Sequence, residues 1–329
     1  MRELVEGFND QLKEAMAIAN GFSIESTGNK FANVVISGVG GSGIGGKIVS
    51  EIIGDEVTIP VVCNHHYWIP NFVDENTLFI VCSYSGNTEE TKEALSRAME
   101  RKAHIVCVTS GGIIGGIAEE NNFPIIKIPG GQPPRSALGF SLVQLLRIFE
   151  VYELVGAKTG LIEAVVNLLQ KEANEIKSQA KIIAKSLEGK MPILYSDANS
   201  SGVAVRWRQQ LNENAKILCW HHSLPEMNHN ELVGWVGAEK NAAVIVLKLE
   251  SDHPRTKLRM GITKDIICKY CDTYIELEAK GQNAVERAMY LINIGDWVSV
   301  YLADIRQVDP VEVNVIDFLK ESLAKVNNN

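Results

Sequence analysis

Eighteen consecutive apolar residues occur nowhere in the 329-residue chain, so a membrane-spanning helix of ordinary length is not expected and no membrane partner is predicted. Basic residues are in deficit. With 32 Lys and Arg against 40 Asp and Glu, the net charge is -8, the wrong sign for a surface that rides on phosphodiester backbone, and nucleic acid is excluded as a general partner. Basic side chains should therefore be local devices. The N-terminus, MRELVEGFNDQLKEAMAIAN, scatters acidic residues through an amphipathic pattern and lacks the apolar stretch of a signal peptide, so a cytoplasmic protein is expected. Cysteine is scarce: six residues, at 63, 82, 107, 219, 268 and 271, four of them inside apolar runs such as FIVCSYS and HIVCVTS, read as buried thiols of a reducing compartment. Cys268 and Cys271 form a lone CxxC with no second ligand pair and no adjacent His, which favours packing over a zinc site. No low-complexity linker appears either, so two domains in this chain should share a tight interface and a site between them.

What is present is a rhythm of short apolar runs and helical stretches. Leu4, Val5, Phe8, Leu12, Met16 and Ala19 fall at the three- and four-residue spacings of one helix face. Runs at 33–38, 59–63, 77–83, 104–109 and 124–128 follow, rich in Val and Ile and separated by room for a helix, the pattern of a parallel sheet covered on both faces. From Thr159 to Gly189 a long helical period predicts a connector. A second strand series is expected at 192–196, 216–220, 242–249 and 272–277, and a last helix through Val315, Ile316, Phe318, Leu319 and Leu323. The fold class is thus α/β, with two domains, 1–155 and 156–329, each a parallel sheet flanked by helices.

Two small-residue segments stand where open α/β sheets bind ligands, at the carboxyl ends of predicted strands. The first is GVGGSGIGG (38–46), in which glycines, Gly41 among them, let backbone N–H groups approach an anion while Ser42 adds a hydroxyl. It departs from nucleotide-binding patterns: no acidic residue follows at the dinucleotide spacing, and Lys47 is followed by Ile48 rather than Ser or Thr. The second is SYSGNTEET (83–91), where Ser83, Ser85 and Thr88 can surround one phosphate at a helix N-terminus. The competing reading of this segment is a capping box, with Ser85 or Thr88 against a following Glu.

GVGGSGIGG, SYSGNTEET, PPRSALG (133–139), NENAK (212–216), PEMNHNE (225–231) and IDFLK (316–320), taken in this order, resemble the bifunctional phosphoglucose/phosphomannose isomerase family of the phosphoglucose isomerase superfamily. The SxSGNT stretch alone marks only sugar-isomerase (SIS) domains, which include transferases, etherases and regulators; the later motifs make the resemblance specific, and it spans nearly the whole chain. It implies two SIS domains, a homodimer with a shared active site, and an aldose–ketose isomerase acting on glucose 6-phosphate, mannose 6-phosphate and fructose 6-phosphate. Gly41, Ser42, Ser83, Ser85 and Thr88 would then hold the sugar phosphate.

Moving a carbonyl between C1 and C2 requires ring opening, abstraction of a weakly acidic C–H proton and stabilisation of an enediolate, for which one base, one ring-opening group and one cation suffice. No cofactor and no metal is needed. The resemblance assigns the base to Glu213, ring opening to His229 reaching in from the neighbouring subunit, the enediolate oxygen to Arg135, and a contributing role to Lys320. Each has a plainer alternative: a solvated Glu, a surface-loop His, an Arg closing a salt bridge, and a Lys paired at i,i+3 with Asp317. His65-His66 and His221-His222 are poor chelators because neighbours on an extended chain point to opposite faces, though the latter pair could line the site beside Glu213. Trp207, Trp220, Trp235, Tyr67 and Trp68 read as core or interface residues rather than sugar-stacking platforms, with Trp220 and Trp235, which flank the His229 loop in sequence, having the stronger claim to stacking. A SIS isomerase of another phosphosugar would share the cradle but lack the NEN and NHNE segments, and a non-catalytic sugar-phosphate sensor would need neither Glu213 nor His229.

Overall fold

The computed structural model describes residues 1–24, 30–238 and 241–326. The chain opens with α1 (Arg2–Glu6) and α2 (Phe8–Gly21), then β1 (Asn33–Ser37), α3 (Gly40–Ile52), β2 (Val61–Asn64), β3 (Thr77–Ser83), α4 (Glu89–Glu100), β4 (His104–Thr109), α5 (Gly112–Glu120), β5 (Ile125–Lys127) and α6 (Leu138–Val151). The long α7 (Ile162–Ser186) leads to β6 (Met191–Asp197), α8 (Ser201–Ala215), β7 (Trp220–Leu224), the short α9 (Glu231–Gly234), β8 (Ala242–Lys248), α10 (Pro254–Ile267), β9 (Tyr274–Glu278), α11 (Ala284–Arg306) and α12 (Asn314–Lys325). The expected opening helix is two, because Gly7 leaves the helical conformation; beyond it Phe8, Leu12, Ala15 and Ala19 turn one face inward.

Two all-parallel sheets result, one ordered β2-β1-β3-β4-β5 and the other β7-β6-β8-β9. In the first, β1 is followed by a strand on one side and then by one on the other, so the crevice for a ligand opens at the carboxyl ends of β1 and β3. Strand residues alternate between layers. Val34, Ile36, Leu78 and Ile80 face a core that continues through α2, α6, α7, α8 and α11 to Leu194 and Ile245 of the second sheet. Val35, Phe79 and Val81 face a separate core under α4 and α5, and Ile193, Tyr195 and Val244 one under α10. The shared inner core binds the two sheets together without a linker.

One expectation fails here and one helix comes unannounced, each for a physical reason. The strand expected at 216–220 begins only at Trp220, because Lys216 takes a left-handed conformation (φ 54°) that ends α8, and Asn212 Nδ2 holds Ile217 O at 2.7 Å. The strand therefore runs through the double histidine. The other is α11, for which the sequence carries no periodic signal: it is apolar on every side and 18 of its 23 residues are buried, so no polar face marks its period. It packs against α7 and α8 and carries Asp296, which forms a buried ion pair with Arg206 of α8 at 3.0 Å. Burial pushes the Asp296 carboxyl up, and the Arg206 guanidinium opposes that shift.

Candidate active site

The glycine segment after β1 is shorter as a loop than expected, since α3 begins at Gly40 and the remaining glycines form its first turns. What those glycines supply is closeness. A Cβ on Gly41 would stand 3.0 Å from Arg135 N and from Pro134 O, so the PPR segment packs directly onto the start of α3. Ser42 ties the two segments together: its Oγ accepts a hydrogen bond from Tyr84 N at 2.9 Å. A small cavity between them is lined by Gly41, Ser42, Ser83, Tyr84, Pro134 and Ser141, among others.

In the second segment the capping box does not form. Thr88 is the N-cap of α4, but no side chain caps that helix; the Thr88 hydroxyl instead accepts from Ser83 Oγ at 3.1 Å, and Ser85 Oγ accepts from Asn87 N at 3.2 Å. The first-turn amides of α4, like those of α3, are left without a side-chain cap, which is the arrangement that attracts an anion. Gly86 sits in the left-handed region (φ +68°), and a Cβ there would fall 1.8 Å from Gly111 O. Gly86→Ala should accordingly lose about 1–2 kcal/mol from backbone strain alone, with the clash added, and its melting temperature should fall. A variant with unchanged melting temperature would show that the turn does not need this conformation.

Arg135 is buried (3% exposed) in the turn preceding α6 and reaches across to the second half of the chain. Nε donates to Asn214 Oδ1 at 2.7 Å, Nη2 to Pro310 O at 2.6 Å and Val311 O at 3.1 Å, and Nη1 to Glu213 Oε2 at 3.2 Å. Burial lowers its pKa and Glu213 raises it. Glu213 lies in the last turn of α8 with its side chain partly exposed (29%). Lys216, at the cap of the same helix, donates from Nζ to Glu213 O at 2.6 Å and to Glu312 O at 2.7 Å, so the segment after α11 is pinned to the helix end that carries Glu213. Gly41 and Glu213 are thus separated by a single residue, Arg135, which touches the first with its backbone and the second with its guanidinium. The arrangement can hold an anion at the helix N-termini and present a carboxylate and a fixed cation beyond it.

Comparison with known proteins bears on this geometry. Residues 176–323 match the family model of the bacterial phospho-glucose isomerase C-terminal SIS domain. The bifunctional phosphoglucose/phosphomannose isomerase of Caldicellulosiruptor bescii is 36% identical over the full length of both chains, and that of Aquifex aeolicus 36% identical over 98% of each. The chain belongs to the bifunctional phosphoglucose/phosphomannose isomerase family. Among solved structures, the C-terminal domain of glucosamine-fructose-6-phosphate aminotransferase from Francisella tularensis superposes with a TM-score of 0.77 at 14% identity, covering 95% of this chain and 98% of that one, which places the fold among SIS domains.

Two residues that the family resemblance singles out are not brought to Arg135 and Glu213 within this chain. His229 ends a short turn (Glu226–His229) that is anchored by the buried Met227 and by Asn228 Nδ2 donating to Thr263 Oγ1 at 2.9 Å, while the imidazole itself is exposed. Trp220 and Trp235 join this anchoring: Trp220 Nε1 donates to Glu231 Oε2 at 2.8 Å, Trp235 Nε1 to Tyr195 Oη at 3.0 Å, and the Tyr195 hydroxyl donates to Glu231 Oε1. Lys320 stands on the exposed α12, 4.0 Å from Asp317 at i,i+3, and makes no contact with the site.

The remaining candidates take structural places. His221 and His222 lie on β7 and line a cleft with Lys47, Ser201 and Val205, not with Glu213; burial, followed by Arg208, pushes the His221 pKa down to about 4, so it is neutral near pH 7. His65 Nδ1 donates to Gly38 O at 2.6 Å and braces the first segment, a role the sequence does not announce. Cys271 is buried against Ala242 O, whereas Cys268 is exposed, and among the described residues no three His, Cys, Asp or Glu side chains converge as metal ligands. Trp207 is a core residue, donating to Leu291 O at 2.8 Å. Trp68 is exposed under the Arg97 guanidinium, 3.9 Å from its ring centre, and Tyr67 beside it is exposed as well.

Proposed function

We propose that this protein interconverts glucose 6-phosphate and mannose 6-phosphate with fructose 6-phosphate by proton transfer between C1 and C2. The relatives that carry the family name support the substrates. The observation that carries the chemistry is the Glu213–Arg135 pair, with the Arg135 backbone packed on the uncapped N-terminus of α3. In this reading the phosphate is held by Gly41, Ser42, Ser83, Ser85 and Thr88 and by the first-turn amides of α3 and α4. Once the ring is open, Glu213 takes the proton from the carbon beside the carbonyl; the C–H electron pair becomes the C1–C2 double bond, and the carbonyl oxygen gains charge beside Arg135. The hydroxyl proton on the neighbouring oxygen passes to the charged one, so that the carbonyl reforms at that neighbouring oxygen, while Glu213 delivers a proton, exchangeable with water while it rides on the partly exposed carboxyl, to the adjacent carbon; delivery to either face of C2 gives the two aldose epimers. A coupled assay with fructose 6-phosphate tests the reading: turnover to both aldose phosphates that is indifferent to chelator is expected, whereas tight binding of the phosphosugar with no turnover would make the protein a sensor.

The same reading makes the working unit a homodimer. None of the residues of α12 is buried, and Val315, Phe318, Leu319 and Leu323 expose an apolar stripe along it, a surface that a second copy covers in this account. The exposed His229, and Lys320 on that helix, then complete the pocket of the neighbouring protomer, His229 for ring opening. Mixing inactive Glu213→Gln and His229→Ala subunits should restore on the order of a quarter of wild-type activity, since half of randomly paired dimers regain one intact site. Absence of any recovery after subunit exchange would remove the shared site. Two further points belong to this proposal. The division near 155/156 is supported by the break between α6 and α7, and a cytosolic home by the six free thiols.

A further inference from the structure

Asn214 is fully buried, and both ends of its amide are committed. Its Oδ1 accepts from Arg135 Nε at 2.7 Å, and its Nδ2 donates to Ser299 Oγ at 2.9 Å on α11. The Ser299 hydroxyl spends its single hydrogen on Asp296 O at 2.7 Å and can therefore only accept from Asn214. Arg135 can only donate. Both neighbours thus dictate the same amide orientation, leaving no flipped alternative. The chain of bonds then closes on itself: Asp296 Oδ2 accepts from Arg206 Nη2 at 3.0 Å, and that nitrogen also donates to Arg135 O at 2.7 Å. One buried ring grips Arg135 by side chain and backbone together.

The ring matters because of how the guanidinium's five hydrogens are distributed. Nε is taken by Asn214, both hydrogens of Nη2 by the carbonyls of Pro310 and Val311, and one hydrogen of Nη1 by Glu213. The second Nη1 hydrogen meets no acceptor among the described residues, and it lies on the nitrogen that already holds the Glu213 carboxylate.

We propose that Asn214 is a positioning residue for the isomerisation: by fixing Arg135 Nε against Ser299 and α11, it aims the one uncommitted N–H of Arg135 at the oxygen that gains charge beside Glu213. The inference rests on the roles given to Glu213 and Arg135 above. Neighbours on a helix point about 100° apart, so the same turn of α8 sends Glu213 to the cleft and Asn214 into the core. Without the amide, the guanidinium can rotate about its Cδ–Nε bond, and a displacement of about 1 Å at a charge-stabilising group costs on the order of a hundredfold in rate.

Steady-state kinetics with fructose 6-phosphate on Asn214→Leu, Asn214→Asp and Ser299→Ala, with Glu213→Gln alongside and thermal melts of each, test this. Asn214→Leu should lose about a hundredfold in kcat with KM changed less than about threefold, because the misplaced charge is needed in the transition state and not in the ground state. Asn214→Asp keeps an acceptor for Nε and should recover to within about tenfold of wild type; Ser299→Ala, which leaves the amide unanchored, should lose about tenfold in kcat at constant KM. Should Asn214→Leu fail to fold, Ser299→Ala decides the question. Folded Asn214→Leu and Ser299→Ala proteins with wild-type kcat, or with KM rising in step with any loss, would overturn the positioning role. If Glu213→Gln is inactive in that same experiment, only the positioning role falls; if it turns over normally, the catalytic reading beneath it falls as well.

Discussion

Glu213→Gln should reduce kcat for fructose 6-phosphate by about 10³ to 10⁴, at the upper end of what a positioned general base contributes, with KM shifted less than about threefold. The substitution suits the question because glutamine keeps an oxygen that can accept from Arg135 Nη1, at present 3.2 Å from Glu213 Oε2, so the guanidinium retains all its partners. The segments proposed to bind the phosphate meet Arg135 through its backbone at Gly41 and are untouched by the substitution, hence the small expected change in KM. A loss of binding in proportion to rate would indicate that Glu213 holds substrate rather than moving a proton. The partial exposure of its side chain is consistent with a carboxylate that meets a sugar in an open cleft.

Arg135→Lys should be nearly as damaging, by a different route. An ammonium cannot span Asn214, two backbone carbonyls and a carboxylate at once, whereas the planar fork of Arg135 does. Losing a preorganised charge at the enediolate oxygen is worth about 10² to 10³ in kcat. A stability cost comes with it: Asn214 Oδ1 and the Pro310 carbonyl are left without their donor, at about 1–3 kcal/mol for each group that stays buried and unpaired. The melting temperature of Arg135→Lys should therefore drop by several degrees, and the segment after α11 should become protease-sensitive because Arg135 and Lys216 are its two anchors. A stable protein with kcat within tenfold of wild type would show that charge stabilisation comes from elsewhere.

How far the sequence foretold this arrangement varies with the kind of signal. Strands such as Thr77–Ser83 and Ala242–Lys248 stand out because they are buried on both faces and read as nearly continuous apolar runs containing Val and Ile. Helix α11 is equally apolar yet carries no visible period, and it bears Asp296 and Ser299, which fix Arg135; polar residues scattered in an apolar helix reveal their partners only once the helix is folded. Strand β7 is displaced from 216–220 by the left-handed cap at Lys216, a conformation that the type of residue does not advertise. At the site, Ser42, Ser83, Thr88, Arg135 and Glu213 are legible as motifs, and the structure links them by direct contacts through Tyr84 and Gly41. Asn214 is quoted within the same motif as Glu213, but its function depends on a neighbour 85 positions away. His229 and Lys320 are exposed in the single chain, and the role proposed for them depends on an interface that one chain does not contain.

The central claim is that Glu213 carries a proton between C1 and C2 of a hexose phosphate. Its most direct test is isomerisation in deuterium oxide, followed by proton magnetic resonance of the sugar phosphates as they approach equilibrium. Fructose 6-phosphate turned over by the wild type should gain deuterium at C1, and both aldose products at C2, while Glu213→Gln gives neither product nor label. Aldose phosphate formed by Glu213→Gln at the wild-type rate, with or without label at C2, would contradict the account.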